Sequence, residues 1–96
     1  MAYRFDWDSG KAGSNLGKPG VTFDEASTVF EDRLAVIFVD EEHSLVETRE
    51  LIIGHSRAGR LLLVSFVERP GAVLRLISAR RATRTERQDY ENNFAP

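Results

Sequence analysis

The 96-residue sequence contains no cysteine, one tryptophan and two histidines. The absence of cysteine excludes a disulfide framework, a CxxC redox motif and a thiolate nucleophile. With two histidines we expect no multi-histidine metal site, and no glycine-rich phosphate loop, HExxH, GxSxG or zinc-type spacing is present. The acidic run Asp40-Glu41-Glu42 offers oxygen ligands for magnesium, but such a run is usually a solvated turn. We therefore expect neither a metal nor a cofactor.

Long apolar segments are also missing. No run approaches the roughly 20 residues that cross a bilayer, and the opening MAYRFDWD has neither an apolar nor a basic leader region. We therefore expect a cytoplasmic protein without a membrane partner. A chain of this length holds one hydrophobic core, so residues 1–96 are predicted to form a single domain.

The small net charge of -2 hides a polarised sequence. Residues 1–48 carry 4 Lys+Arg against 10 Asp+Glu, a balance of -6, whereas residues 49–96 carry 9 against 5, a balance of +4. All nine basic residues of the second half are arginine, whose planar fork suits phosphate. The pattern predicts a positive face for phosphate, and the alternative is arginine used for solubility.

Helices are predicted in three places. Asp8 is the predicted N-cap of a weak first helix, which Gly17, Pro19 and Gly20 end. The sequence Thr22-Phe23-Asp24-Glu25 is a capping box for a second helix, with Val21 placed to staple onto Ala26. Thr83-Arg84-Thr85-Glu86 is a capping box for a third helix.

Strands are predicted between the second and third helices. A short aromatic-polar alternation from Tyr3 to Asp8 also indicates an N-terminal strand. The four longer segments are rich in β-branched and aromatic residues and are joined by short glycine-containing links at 57–59 and 69–71. They span Leu34–Val39, Arg49–Ser56, Leu61–Glu68 and Ala72–Ala79. The prediction is an α+β fold with a four-stranded antiparallel meander, two N-terminal helices and one C-terminal helix.

The residue types present allow one kind of metal-free chemistry. RNA can be cut through its own 2′-hydroxyl if the enzyme deprotonates that group, neutralises the phosphorane and protonates the leaving oxygen. Arginine, lysine, histidine and tyrosine can perform these three tasks. Composition permits this reaction but does not single it out.

Three groups of residues, in a fixed order, carry a family resemblance. The first group is Phe5-Asp6-Trp7-Asp8, Lys11, Asn15-Leu16, Lys18, Gly20-Val21, Phe23, Ala26, Val29-Phe30 and Asp32. The second is Asp40, His43-Ser44, Glu47, Arg49, Ile53-Gly54, Ser56 and Gly59-Arg60-Leu61-Leu62. The third is Arg75, Ile77-Ser78-Ala79-Arg80-Arg81-Ala82-Thr83, Glu86-Arg87 and Tyr90-Glu91. Over nearly its whole length the chain resembles the BrnT family of bacterial toxins.

The resemblance implies a RelE-like ribonuclease fold in which helices pack against one face of an antiparallel sheet. It also implies an endoribonuclease toxin that inhibits translation and growth, and a BrnA-like antitoxin that binds it in a hetero-oligomer. DNA would be contacted only through that antitoxin. The chain has Lys18-Pro19-Gly20 where the family commonly reads Lys-His-Gly. A catalytic role for a histidine at position 19 is therefore either unnecessary here or lost, and lower toxicity is one outcome. It also has Asp8-Ser9 where the family commonly reads Asp-Pro.

The resemblance and the residue chemistry together predict an active site with RNA as its substrate. The predicted catalytic residues are Arg60, Arg80, Tyr90 and His43, and the predicted RNA contacts are Lys11, Arg49, Arg81, Arg84 and Arg87. We expect an antitoxin segment to cover these arginines with Asp or Glu beside apolar anchors.

Each assignment has a structural alternative. Arg60 is either a phosphate contact or an exposed turn residue, and His43 is either a proton-transfer group or a loop residue that bonds the backbone. Tyr90 is either a base or stacking platform, or an anchor for the last helix through Phe94. Arg80 is favoured over Arg81 because neighbours on a strand point to opposite faces.

Three further residues are predicted to have structural roles or positions rather than roles in the site. Arg75 is expected to pair with a carboxylate such as Glu86 or Glu50. Trp7 is expected in the core, and His55 on the surface.

Two other functions remain open at this point. The chain could be a non-catalytic module that binds a basic and apolar partner segment or a ribosomal surface. Direct DNA binding is disfavoured because no helix-turn-helix pattern is present and the acidic first half would repel a duplex.

Overall fold

One mixed sheet organises the chain. The computed structural model describes residues 3–10 and 20–94, with side chains through residue 92. Five strands run in the spatial order β1-β5-β4-β3-β2. They are β1 (Arg4–Asp6), β2 (Val36–Val39), β3 (Glu50–His55), β4 (Leu61–Arg69) and β5 (Val73–Arg81). Strands β2 to β5 form the predicted antiparallel meander, and β1 adds a parallel edge beside β5.

Local irregularities shift the strand ends from their predicted positions. The second strand begins at Val36 rather than Leu34, because the backbone N–H of Leu34 donates to the Asp32 carboxylate at 2.9 Å and forms a turn. A bulge between Ser65 and Phe66 interrupts the β4–β5 register. The β5 strand extends to Arg81, two residues beyond the predicted end.

The second predicted helix is shorter than its sequence pattern indicates. Helix α1 (Phe23–Ser27) begins at the predicted cap, where Thr22 Oγ1 accepts the Glu25 N–H at 3.0 Å. The hydroxyls of Ser27 and Thr28 then donate to backbone carbonyls three residues earlier, both at 2.7 Å. Such bonds compete with helical ones. A 3₁₀ turn, Thr28–Glu31, replaces the rest of the helix.

The other two predicted helices have different outcomes. Helix α2 (Arg84–Phe94) has the full capping box, because Thr83 N–H donates to Glu86 Oε1 at 2.8 Å and Glu86 N–H donates to Thr83 Oγ1 at 3.2 Å. The first predicted helix, apart from residues 9 and 10, which are helical, lies outside the described residues. In the described ranges no helix has the length and apolar character needed to cross a bilayer.

Helices cover opposite faces of the sheet, in contrast to the expected arrangement on one face. Helix α1 and the 3₁₀ turn pack on the main core with the even-numbered residues Ile52, Leu62 and Val64. Trp7 packs there too and stacks on Phe23 with ring centroids 5.8 Å apart, as predicted for a core residue.

Helix α2 lies on the other face. Tyr90 forms a small cluster there with Ile53 and Leu61. Because α2 covers only part of this face, the remaining surface of β2 to β5 is open and forms a groove.

Gly54 lets the chain around Val29, Asp32 and Ala35 approach β3 closely. An added Cβ at this position would lie 2.8 Å from Ala35 Cβ and 3.1 Å from Asp32 Oδ2. We predict that Gly54→Ala lowers the free energy of unfolding by about 2 kcal/mol because an overpacked core must shift backbone. Urea unfolding measures this, with Ser78→Ala on an exposed part of β5 as the control. A Gly54→Ala variant as stable as the wild type would contradict the close packing.

Candidate active site

The groove on the open face has a volume of about 520 Å³. Its floor consists of apolar and small residues of the central strands, including Leu63 and Ser65. One wall is the loop that follows β2, and the opposite wall is α2. Four of the nine residues predicted for the site line this groove: His43, Arg49, Arg80 and Tyr90.

Arg80 is held in the groove by α2. Its Nη1 and Nη2 donate to the two carboxylate oxygens of Glu86, both at 2.8 Å, and Nη1 also donates to the Arg81 carbonyl at 3.2 Å. The side chain keeps its Nε–H and a second Nη2 hydrogen for a ligand. Arg80 is therefore both fixed in position and still able to donate.

A short loop positions His43. Its Nδ1 lies 2.9 Å from Asp40 Oδ2, and 58% of the side chain is exposed. Ser44 Oγ donates to the Asp40 carbonyl at 2.6 Å and accepts the Arg49 N–H at 3.0 Å, which closes the loop at its base. A carboxylate on Nδ1 orients the ring and leaves Nε2 available for proton transfer.

Two buried polar atoms of the groove residues lack partners. Arg49 Nε and Ser65 Oγ have no hydrogen-bond partner within the described part of the chain. Ser65 is only 6% exposed. Sequence reasoning missed Ser65, although a serine interrupting the apolar run Leu61–Val67 was an available signal. Unpaired polar atoms in a packed floor are costly to leave unsatisfied.

Tyr90 is anchored from outside the groove. Its hydroxyl donates to Asp32 Oδ2 at 3.3 Å, and it lies 3.4 Å from His55 Nδ1. Burial raises the pKa of the Tyr90 phenol, and the Asp32 carboxylate raises it further. Such a tyrosine keeps its proton at neutral pH, so it suits an acid or a structural anchor better than a base. The predicted contact with Phe94 falls on a side chain outside the described ones.

Arg60 lies elsewhere, facing α1. Its guanidinium donates to both carboxylate oxygens of Glu25 and to the Gly20 carbonyl, the last at 3.1 Å. It borders a smaller pocket of about 290 Å³ with Arg81 and Arg87. The Arg60 hydrogen bonds lower the pKa of Glu25 despite its partial burial. Arg60 is thus separated from the groove.

The other predicted contacts are dispersed. Arg84 is exposed at the start of α2, and Lys11 lies outside the described residues. His55 is partly exposed near Asp32, as predicted for a surface residue.

Long-range ion pairs cancel much of the expected positive face. Four arginines of the second half pair with carboxylates of the first half: Arg57 with Glu31, Arg60 with Glu25, Arg69 with Glu47 and Arg75 with Asp6. The prediction that Arg75 is ion-paired is confirmed, but its partner is Asp6 at 2.7 Å rather than Glu86 or Glu50.

The groove itself is richer in carboxylates than in cations. Its lining includes Asp40, Glu42, Glu86 and Asp89 against two arginines and one histidine. Across the residues that the structure describes, no group of three or more His, Cys, Asp or Glu side chains is arranged to hold a metal ion. The two arginines that line the groove are Arg49 and Arg80.

Comparison with known proteins identifies a family and a structural relative. The family model for BrnT, the ribonuclease toxin of type II toxin-antitoxin systems, matches residues 7–86. The crystal structure of the Brucella abortus ribonuclease toxin BrnT is similar to this chain with a TM-score of 0.65 and 22% sequence identity. The match covers 86% of this chain and 100% of the Brucella chain, and at this identity it shows a shared fold. No curated protein sequence matches.

The Arg80–Glu86 pair makes stability depend on pH. The hydrogen bonds from Arg80 lower the pKa of Glu86 from 4.5 to about 2, burial opposes this shift, and the Thr83 N–H adds to it. A lowered folded-state pKa means that the stabilisation is complete above pH 4.5 and is lost as the pH falls towards 2.

We predict that Glu86→Gln lowers the free energy of unfolding by about 1–2 kcal/mol at pH 7, a figure reduced for partial exposure. The difference from wild type should vanish towards pH 2, because glutamine keeps the capping acceptor but lacks the titrating charge. Urea unfolding from pH 7 to 2 measures it, with exposed Glu91→Gln as control. A difference that is constant with pH would rule out the ion pair as its source.

Proposed function

Because the chain belongs to the BrnT family of ribonuclease toxins of type II toxin-antitoxin systems, as its sequence predicted, we propose that it is the toxin of such a pair. In this proposal it cleaves RNA in the cytoplasm without a metal, inhibits translation and growth, and is neutralised by a cognate antitoxin. The observation that supports the groove as the active site is the meeting of His43, Arg49 and Arg80 on the open sheet face.

The proposed reaction uses the RNA 2′-hydroxyl as nucleophile. His43 Nε2 removes the 2′-hydroxyl proton while Asp40 holds Nδ1. The 2′-oxygen then attacks the adjacent phosphorus, and the bond from phosphorus to the 5′-oxygen breaks. The products are a 2′,3′-cyclic phosphate and a free 5′-hydroxyl.

Arg80 and Arg49 are proposed to stabilise the phosphorane. Glu86 fixes the Arg80 fork, so the free N–H groups of Arg80 are oriented before the substrate binds. Arg49 has an unpaired buried Nε that a phosphate oxygen or a small side-chain rotation could satisfy.

Tyr90 is proposed to protonate the leaving 5′-oxygen. It is on the α2 wall, opposite the loop that carries His43, and in-line displacement requires the acid and the base on opposite sides. Its raised pKa keeps the proton in place at neutral pH. To reach the leaving oxygen the hydroxyl gives up its 3.3 Å bond to Asp32, a cost of about 1 kcal/mol.

Flanking phosphates are proposed to contact Arg81, Arg84 and Arg87. These exposed side chains lie at the end of β5 and in the first turn of α2, and Arg81 and Arg87 border the same pocket as Arg60. Lys11, which lies outside the described residues, remains a predicted contact to RNA. Arg60 is reassigned to holding α1 on the sheet, since Glu25 and Gly20 engage its guanidinium.

One prediction from the proposed reaction concerns metal removal. Purified protein should cut single-stranded RNA equally in EDTA and in magnesium, and the products should carry 2′,3′-cyclic phosphate or 3′-phosphate ends. Gel electrophoresis with end-group analysis measures both. Cleavage that depends on magnesium would exclude the 2′-hydroxyl mechanism.

Another prediction from the proposed reaction concerns the groove arginines. Arg49→Ala and Arg80→Ala should each slow RNA cleavage by at least about 100-fold, because each removes a donor aimed at the developing charge. Arg57→Ala is the matched control, since Arg57 is exposed and pairs with Glu31 outside the groove. Its rate should stay within about twofold of wild type. Equal effects of all three variants would remove the groove from the reaction.

A further inference from the structure

The β2 edge of the sheet is unusually apolar. The strand reads Val-Ile-Phe-Val, and Ile37, Phe38 and Val39 are 52%, 44% and 51% exposed. Edge strands of soluble proteins are usually protected from further pairing by being short or by lysine, proline, a bulge or a covering segment. Strand β2 is short, with four residues, but among the described residues it has no lysine, proline, bulge or covering segment.

The backbone of β2 offers free hydrogen-bonding groups. Asp40 N–H donates to the Arg49 carbonyl at 2.8 Å, and the β2–β3 register pairs Phe38 with Leu51. Along an antiparallel strand, residues alternate: the backbone N–H and C=O of one residue bond the neighbouring strand, and those of the next residue point away from it. The N–H and C=O groups of Ile37 and Val39 therefore point outwards, away from β3.

The surroundings of β2 are apolar and acidic. Leu45 and Val46, in the loop beyond the strand, are 93% and 99% exposed. The run Asp40-Glu41-Glu42 follows the strand directly, and Glu50 pairs with Val39 across the ladder. A partner that fits this edge has apolar side chains flanked by lysine or arginine.

We propose that the antitoxin docks on β2 by adding an extended, apolar and basic segment as a sixth strand of the sheet. This inference rests on the proposed toxin function and names the surface by which the toxin is bound. The basic character of this segment differs from the acidic one expected from the sequence, because the run Asp40-Glu41-Glu42 and Glu50 surround β2 with negative charge and favour a cationic partner at this edge.

A flexible segment suits this edge better than a second copy of the chain. The exposed apolar side chains lie on both faces of β2 and on the loop beyond it, and two rigid sheets joined edge to edge cover neither face. A self-pair over four residues also buries far less than the roughly 1,200–2,000 Å² of a stable interface. An antitoxin chain can continue across Leu45 and Val46 to add area.

The location of β2 explains how docking of the antitoxin would inhibit RNA cleavage in the groove. Phe38 and Asp40 line the groove, and Asp40 holds the His43 ring. A strand added at this edge, with side chains on the groove face, would occupy the rim beside His43. Inhibition then follows from blocked RNA access without any change in the catalytic residues.

Amide exchange of the wild-type protein tests the docking directly. NMR would compare the free toxin with its complex with the protein encoded by the adjacent reading frame. Exchange at Ile37 and Val39 should slow by at least about tenfold in the complex, whereas Phe38 and Asp40 should be protected in both states. Unchanged exchange at Ile37 and Val39 in a complex that forms would overturn the inference and leave the proposed function standing.

Two variants complement the exchange experiment. Val39→Lys places a charge on the edge, and Val39→Pro removes its outward N–H, so each should weaken antitoxin binding by at least about tenfold. Val39 does not line the groove, so Val39→Lys should cleave RNA at the wild-type rate and escape inhibition. Gln88→Lys on exposed α2 is the charge control, with binding within about twofold of wild type.

The remaining outcomes are also decisive. If the Val39 variants lose antitoxin binding but neither they nor the wild-type protein cleaves RNA, the docking surface is supported and the catalytic proposal is rejected. A dimer of the free protein with protected Ile37 and Val39 amides would identify a second copy as the occupant and overturn the inference. No association with the neighbouring protein would overturn both the inference and the antitoxin partner.

Discussion

The Asp32 carboxylate joins three elements that otherwise have little in common. It accepts the Leu34 N–H at the turn before β2, the His55 N–H at the end of β3, and the Tyr90 hydroxyl of α2. Burial opposes ionisation, but these hydrogen bonds lower the pKa of Asp32, so the group is charged at neutral pH. Because an ionised acceptor makes stronger hydrogen bonds than a neutral one, this residue fixes the start of the edge strand and one wall of the groove together.

The bulge at Ser65/Phe66 determines which arginines share a face. Arg75 and Arg80 are five residues apart, and an unbroken strand would direct them to opposite sides. In the observed register Arg75 pairs with Val67 and Arg80 pairs with Leu63, and both partners are odd-numbered residues on the open face. One inserted residue in β5 therefore places Arg80 over the groove.

Sequence signals between neighbouring residues were sufficient to predict much of the fold. Contacts between residues far apart in the sequence could not be predicted. The caps at Thr22 and Thr83 each involve residues three apart, so sequence alone identified them. The pairing of Asp6 with Arg75 joins residues 69 apart and depends on the parallel placement of β1. The same limit applies to the candidate site. Its four groove residues were predicted as residue types, but Arg60 is chemically equivalent to Arg80, and only the fold places Arg60 in a separate pocket beside Glu25.

In the proposed reaction, fixing Arg80 with Glu86 has opposite effects on substrate affinity and on catalysis. The carboxylate cancels the arginine charge, so the pair adds little to long-range attraction of RNA. The same carboxylate holds the guanidinium by two bonds, so little side-chain entropy is lost when the remaining N–H groups meet a phosphate. An interaction of this kind contributes more to a transition state with extra negative charge than to the bound substrate, which raises rate rather than affinity. A groove with more carboxylates than cations is thus compatible with phosphate chemistry, provided that attraction comes from the exposed arginines outside it.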